Sequence, residues 1–100
     1  MLIIAGSFRI DPPQRDAAIT AAREMMTETH KEKGCHAYVF SADLADPTLV
    51  HLYELWESET ALHAHFATPH MARFQATIAS VKPRDFDVKR YEISSVGPVR

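Results

Sequence analysis

The chain has little cysteine, no long apolar run and no excess of basic residues. Its single cysteine, Cys35, excludes an internal disulfide and fits a reducing cytoplasm. No apolar run approaches the ~20 residues that a membrane-spanning helix needs. The net charge of −2 offers no basic surface for nucleic acid or an anionic membrane. The expected partners are therefore a small molecule, a second copy of the chain, or both.

What the chain does contain is typical of one ordinary folded domain. Hydrophobic residues make up 46% of the sequence and charged residues 24%. At 100 residues, without linker, repeat or low-complexity segment, residues 1–100 are expected to form a single domain. The apolar start lacks the basic region and cleavage site of a signal peptide, so we interpret it as a first strand of a cytoplasmic protein.

Spacing and capping residues divide the chain into strands and helices. Residues 2–10 alternate in the way that predicts a strand. Asp11 before two prolines predicts the start of a helix, and Gly34 fits the left-handed position that ends this helix after Lys33. Glu32, in its last turn, is expected to be solvated. The remaining predicted elements are strands at 36–44, 48–57 and 84–94, a helix after Ser58, and a helix that starts at Pro69 and ends at Pro83.

The order β-α-β-β-α-β predicts a ferredoxin-like α+β fold, a four-stranded antiparallel sheet with helices on one face. On the third strand Glu54 and Trp56 point to one face, while His51, Tyr53 and Leu55 point to the other. A sheet with one wet face should alternate apolar and polar residues, and these strands do not. We therefore expect a second subunit to cover the outer face, which gives a homodimer of packed sheets. The alternative is a monomer whose tail folds back.

The segment from Tyr53 to His70 concentrates the candidates for chemistry. Histidine is the usual base near neutral pH, and His65 lies on or near the inner face of its helix. Trp56 offers a flat stacking surface and an N–H donor, although it could equally be a core aromatic. His63 points about 160° away from His65, because two residues turn a helix by about 200°. Metal binding by this pair is therefore not expected.

Three short pieces of sequence stand in a familiar order. Gly34-Cys35 follows the first helix, Glu54-Leu55-Trp56 lies on the third strand, and the run Ala61 to His70 (ALHAHFATPH) comes next. In this order and spacing the chain resembles the antibiotic biosynthesis monooxygenase family, which includes quinol monooxygenases, over essentially its whole length. The resemblance implies a dimeric α+β barrel. It also implies oxygenation of phenolic or quinol-like polycyclic substrates with no metal, flavin or haem.

Such chemistry needs an electron-rich substrate that loses a proton, donates an electron to O₂ and recombines with the reduced oxygen. On this interpretation His65 is the base, Trp56 the stacking wall, and Glu54 and His70 the orienting groups. Glu54 could instead be a structural partner of Arg9. The expected substrate-binding residues are Ser7, Phe66, Met71 and Phe74, with Arg9 as a candidate for holding a substrate anion.

Other activities share this scaffold, so the family does not by itself determine the reaction. The haem-degrading proteins on this scaffold share a residue pattern: Asn on the first strand, Trp on the third, and His ten residues after that Trp. Here Ser7 stands near the first position and Phe66 occupies the last, so two of the three elements are missing. An isomerase or a small-molecule binding module that uses the same pocket stays open as the alternative.

Overall fold

A computed structural model describes all residues 1–100 as four strands and three α-helices. A short 3-10 turn, Pro12–Gln14, precedes the first helix. In chain order the elements are β1 (Leu2–Arg9), α1 (Arg15–Thr29), β2 (Cys35–Ala42), β3 (Leu49–Trp56), α2 (Glu59–Phe66), α3 (Pro69–Val81) and β4 (Arg84–Glu92).

The strands form one antiparallel sheet in the order β2-β3-β1-β4. Glu54 of β3 is paired with Ile4 on one side and with Tyr38 on the other, so the three side chains share a face. Apolar residues of this face pack with Met25 of α1 and Leu62 of α2 in the main core. The helices therefore cover one face, and the predicted ferredoxin-like α+β fold is confirmed.

Local signals explain where the two short helices begin. The Ser58 hydroxyl accepts a hydrogen bond from the Ala61 N–H, and the Thr68 hydroxyl accepts one from the Met71 N–H. Each bond satisfies a donor that the first turn of a helix leaves free. Pro69 then stands at the first position of α3, where its missing N–H costs nothing. The predicted break between α2 and α3 is confirmed at these residues.

The first helix is shorter than its sequence pattern predicts. It ends at Thr29 and not at Lys33, and residues 30–34 form a turn. Gly34 adopts φ +84°, as expected for a left-handed residue, but at the end of this turn. Asp11 does not cap the helix, because its carboxylate pairs with Arg84. The early end of α1 turns Glu32 inward, so the prediction that Glu32 is solvated was wrong.

The outer face of the sheet carries no helix. Cross-strand pairing puts Ala5, Val39 and Tyr53 together on this face, and Ile3 and Tyr91 lie beside them. Val39, Tyr53 and Tyr91 are between 41% and 50% exposed. A substantial apolar surface therefore faces outward in the single chain. None of the helices combines the length and apolarity that crossing a membrane requires.

Candidate active site

A cavity of about 200 Å³ lies between the inner face of the sheet and helices α2 and α3. Most of its wall is apolar, and only three of the lining residues carry polar groups: Tyr38, Glu54 and His65. A small number of convergent polar groups in an apolar pocket is the usual form of a ligand or active site. This cavity is the candidate site.

Glu54 brings a carboxyl group into this apolar wall from the middle of β3. The residue is 6% exposed, and its Oε1 accepts a hydrogen bond of 2.8 Å from Nε1 of Trp56. Burial raises the pKa of Glu54 from 4.5 to about 7, the Trp56 N–H opposes this shift, and the charge of Glu32 adds to it. Glu54 can therefore gain or lose a proton near neutral pH. Its partner is Trp56 and not Arg9, which answers the alternative posed by the sequence.

Trp56 supports the site from behind. Its side chain is fully buried in the main core, and it is absent from the cavity wall. The expected stacking of its ring on a substrate stays a prediction, since the ring does not line this cavity. Its ring centroid lies 4.9 Å from that of His65, and its N–H fixes one oxygen of Glu54. Trp56 therefore positions the two groups that do reach the cavity.

His65 is held in one orientation on α2. Only 1% of the residue is exposed, and its Nδ1 lies 2.7 Å from Oε2 of Glu32. Since a carboxylate can only accept, Nδ1 carries the proton of a neutral ring. The other ring nitrogen, Nε2, makes no hydrogen bond within the chain. His65 thus combines a fixed tautomer with an unpartnered basic nitrogen in a residue that lines the cavity.

Glu32 joins two histidines from different helices. Its Oε2 lies 2.8 Å from Nε2 of His70 as well as 2.7 Å from Nδ1 of His65. The side chains of Glu32 and His70 are only 13% and 11% exposed. His70 does not line the cavity, so it reaches the site only through Glu32. Glu32 was not predicted to belong to the site, although it lies two residues before Gly34 and so beside one of the recognised motifs.

Glu32, His65 and His70 are also a group of side chains that could hold a metal ion. Their ligand atoms all lie within 4.8 Å of one another. The nitrogen-to-oxygen separations of 2.7 and 2.8 Å are hydrogen-bond lengths. Two ligands about 2.1 Å from a tetrahedral metal would stand roughly 3.4 Å apart. The arrangement described here is therefore a hydrogen-bonded network, in which both rings donate to one carboxylate oxygen.

Tyr38 is the third polar group of the cavity, and it was not among the predicted site residues. It is 2% exposed, and its phenol makes no hydrogen bond within the chain. Burial, followed by the charges of Glu54 and nearby groups, raises the pKa of Tyr38 above its usual range. Tyr38 is therefore a hydrogen-bond donor and not a base at neutral pH. Its pairing with Glu54 across β2 and β3 was the signal that could have revealed it.

The remaining predicted residues fall into two groups. Phe66, Met71 and Phe74 line the cavity. Ser7 and Arg9 do not, because the alternation of β1 turns both away from the helices. Their expected role in binding substrate stays a prediction that this cavity does not support. Ser7 instead lines a shallow depression on the outer face of the sheet.

Arg9 is paired with carboxylates within the chain, and its expected role in holding a substrate anion stays a prediction. Its guanidinium pairs with Asp46 and Asp85 at the end of the sheet. The hydrogen bond from Arg9, with further help from Thr48, lowers the pKa of Asp46 to about 2. This network is structural, since it ties β1 to the loop before β3 and to the start of β4.

Comparison with known proteins identifies the family of this chain. The sequence profile of the family described as "Antibiotic biosynthesis monooxygenase" matches residues 1–77. A curated relative in Escherichia coli K12, named "Probable quinol monooxygenase YgiN", is 31% identical over 88 residues, which cover 78% of this chain and 85% of the relative.

Solved structures show the same fold. A protein of Deinococcus radiodurans superposes with a TM-score of 0.90 at 22% identity, over 100% of this chain and 99% of that chain. A structure named as an antibiotic biosynthesis monooxygenase is 28% identical, with a TM-score of 0.79 over 97% of this chain and 100% of the other. With the profile match over most of its length, this chain belongs to the antibiotic biosynthesis monooxygenase family.

Proposed function

We propose that this protein is a monooxygenase that oxidises a hydroquinone or polycyclic phenol with O₂, without a cofactor, after removing a proton from the substrate. Family membership supports a monooxygenase type of function. The observation that carries the proposal is the convergence of His65, Glu54 and Tyr38 on one apolar cavity. These groups supply a base, a second proton carrier and a hydrogen-bond donor.

In the first step, Nε2 of His65 accepts a proton from a substrate hydroxyl. The contact of Nδ1 with Glu32 supports this role, because it leaves the basic lone pair on Nε2 and stabilises the imidazolium that forms. His70 donates to the same oxygen of Glu32 and so helps to fix the carboxylate. Glu32 and His70 are thus positioning residues, and His65 is the catalytic base.

In the second step, the substrate anion transfers one electron to O₂, which gives superoxide and an aryloxyl radical. Their recombination forms a carbon–oxygen bond to a peroxide. The outer oxygen of this peroxide anion takes up one proton, and loss of the ring proton at that carbon then breaks the O–O bond and expels hydroxide. A second proton converts the hydroxide to water, so the two protons that the substrate loses are both returned. The balance is hydroquinone plus O₂ to hydroxyquinone plus water, and the substrate is the only reductant. The protein's part is to orient the substrate, move protons and exclude water.

Two further groups assist these steps. The Tyr38 phenol donates a hydrogen bond to the substrate oxygen on which negative charge develops. Glu54, whose pKa of about 7 leaves both forms populated, returns a proton when the peroxide breaks down. The cavity has the volume of roughly seven liquid waters, which supports a substrate of one or two rings.

A homodimer through the outer faces of the sheets is part of this proposal. The apolar residues Val39, Tyr53 and Tyr91 on that face support it, because a monomer would leave them in water. Sedimentation at micromolar concentration should give twice the chain mass. A monomer would contradict this part of the proposal. The cytoplasmic location also stays a prediction.

Oxygen uptake tests the reaction. Metal-stripped protein should consume O₂ in the presence of menadiol faster than menadiol autoxidises in buffer, with a hydroxylated quinone as the product. Replacing the base, His65→Gln, should lower the rate about 100-fold or more. Uptake no faster than autoxidation, or isomerisation of the compound without O₂ consumption, would contradict the monooxygenase.

A matched control separates the base from a general effect of losing a histidine. His63 lies on the same helix, and its side chain is 68% exposed. His63→Gln should therefore leave the rate within about twofold of the wild type. If His65→Gln retains the full rate, His65 is not the base. That result would stand even if the native protein consumes O₂ as proposed.

A further inference from the structure

A second cavity, of about 210 Å³, lies beside α1 at the β2 edge of the sheet. Its wall is mostly apolar and includes Ala18, Ile19 and Ala22 of α1. Three aromatic residues, Phe8, Phe40 and Phe74, separate it from the candidate active site, because they line both cavities. Neither Glu54 nor His65 lines this second cavity, so the proposed reaction does not account for it.

The charges around this cavity are all of one sign. Arg15 and Arg23 line it, and no aspartate or glutamate does. Neither arginine pairs with a carboxylate. Outside the C-terminal tail, every other arginine does form such a pair: Arg9, Arg73, Arg84 and Arg90. In a chain of net charge −2, the two uncompensated guanidinium groups therefore stand at one apolar cavity.

The two arginines have different roles in this arrangement. Arg15 is half-buried, and its Nη1 donates to the carbonyl oxygen of Pro47, which also lines the cavity. Arg23 is exposed and makes no hydrogen bond or ion pair within the chain. Eight residues of helix separate their Cα atoms by about 12 Å along the axis. Arg23 is therefore the one of the two whose guanidinium is free to pair with an anion, while Arg15 adds to the positive field.

We propose that this cavity binds a small organic anion, a ring-bearing carboxylate whose apolar body lies against Ala18, Ile19 and Ala22 and whose carboxylate pairs with Arg23. The guanidinium of Arg23 matches a carboxylate with two parallel hydrogen bonds. The cavity has the volume of roughly seven liquid waters, which suits one or two rings and not a lipid chain. Its apolar wall offers few hydrogen-bond partners to ordered water. The apolar body of a ligand would therefore displace only weakly held water.

Calorimetric titration with 2-naphthoate tests the site without any turnover. The native protein should bind 2-naphthoate saturably at one site per chain. The uncharged 2-naphthamide should bind at least 10-fold more weakly, because it has the same rings and lacks the charge. Absence of saturable binding, or equal affinity for acid and amide, would overturn the proposal. Because no reaction is measured, these outcomes are independent of the proposed oxygenation.

Variants locate the bound anion. Arg23→Gln should weaken 2-naphthoate binding about 10-fold, and the matched control Arg73→Gln, whose arginine is exposed and paired with Glu24, should not change it.

Ala22→Leu should abolish binding by filling the cavity. Because the larger side chain could disturb the fold, the methyl spectrum of the native protein gives a second measurement. On titration with 2-naphthoate, the methyl resonances of Ala18 and Ala22 should shift. The methyl resonance of Met71, which lines the active-site cavity, should not shift. The reverse pattern would overturn the proposal.

Discussion

The buried carboxyl group of Glu54 makes the stability of this protein depend on pH in a way that one substitution should remove. Burial raises the pKa of Glu54 from 4.5 to about 7. Because the folded-state pKa lies above the unfolded value, the folded state binds the proton more tightly. The contribution of Glu54 to the unfolding free energy should therefore be complete below about pH 4.5 and should be lost as the pH rises through about 7.

The structure gives the size of this effect. A shift from 4.5 to about 7, at about 1.4 kcal/mol per unit, corresponds to roughly 3 kcal/mol when titration is complete. The figure needs little reduction for solvent screening, since Glu54 is only 6% exposed. Glu54→Gln keeps the acceptor for the Trp56 N–H and removes the titration. The stability of the variant relative to the wild type should rise by about 2–3 kcal/mol between pH 5 and pH 8.

Urea unfolding followed by fluorescence measures this difference directly. Trp56 is the single tryptophan and is fully buried, so its emission reports global unfolding. Both proteins should be compared at one fixed concentration, since association would also change the apparent stability. Glu57→Gln is the matched control, because Glu57 is exposed and forms no ion pair. A difference between Glu54→Gln and wild type that is the same at pH 5 and pH 8 would refute the reasoning.

Four other substitutions or reagents test separate parts of the structure. Tyr38→Phe removes the proposed donor to the substrate oxygen, so kcat for a hydroquinone should fall roughly 10-fold or more, while an unchanged kcat would remove Tyr38 from the mechanism. Thr29→Val should stabilise the fold by about 1 kcal/mol in urea unfolding, because the buried Thr29 hydroxyl has no hydrogen-bond partner; a loss of stability would show that it has one. Gly34→Ala should cost roughly 2 kcal/mol or more by the same measurement, since φ is +84° and the new Cβ would lie 2.7 Å from that of Ala61. The Cys35 thiol, whose pKa burial raises to about 11, should react with a disulfide reagent at pH 8 far more slowly than in urea; equal rates would contradict its burial.

Signals close together in the chain predicted the fold well. Alternation in β1 and β3 assigned each side chain to the correct face, because a strand has a strict period of two. The Ser58 and Thr68 caps were found because their hydrogen bonds join residues only three apart. The predicted end of α1 was wrong. Apolar spacing and Gly34 were compatible with a helix that continues to Lys33, whereas α1 ends at Thr29.

The sequence by itself determined the order of the elements, the family and the segment from Glu54 to His70 on which the candidate site depends. Only the tertiary structure decided how its groups are arranged. It joins Glu32 to His65 and His70 across more than thirty residues of chain. It also places Trp56 behind the cavity and Tyr38 within it. The physical reason is that hydrogen bonds and burial in this site connect residues from separate elements, whereas sequence patterns report only the neighbours along one helix or strand.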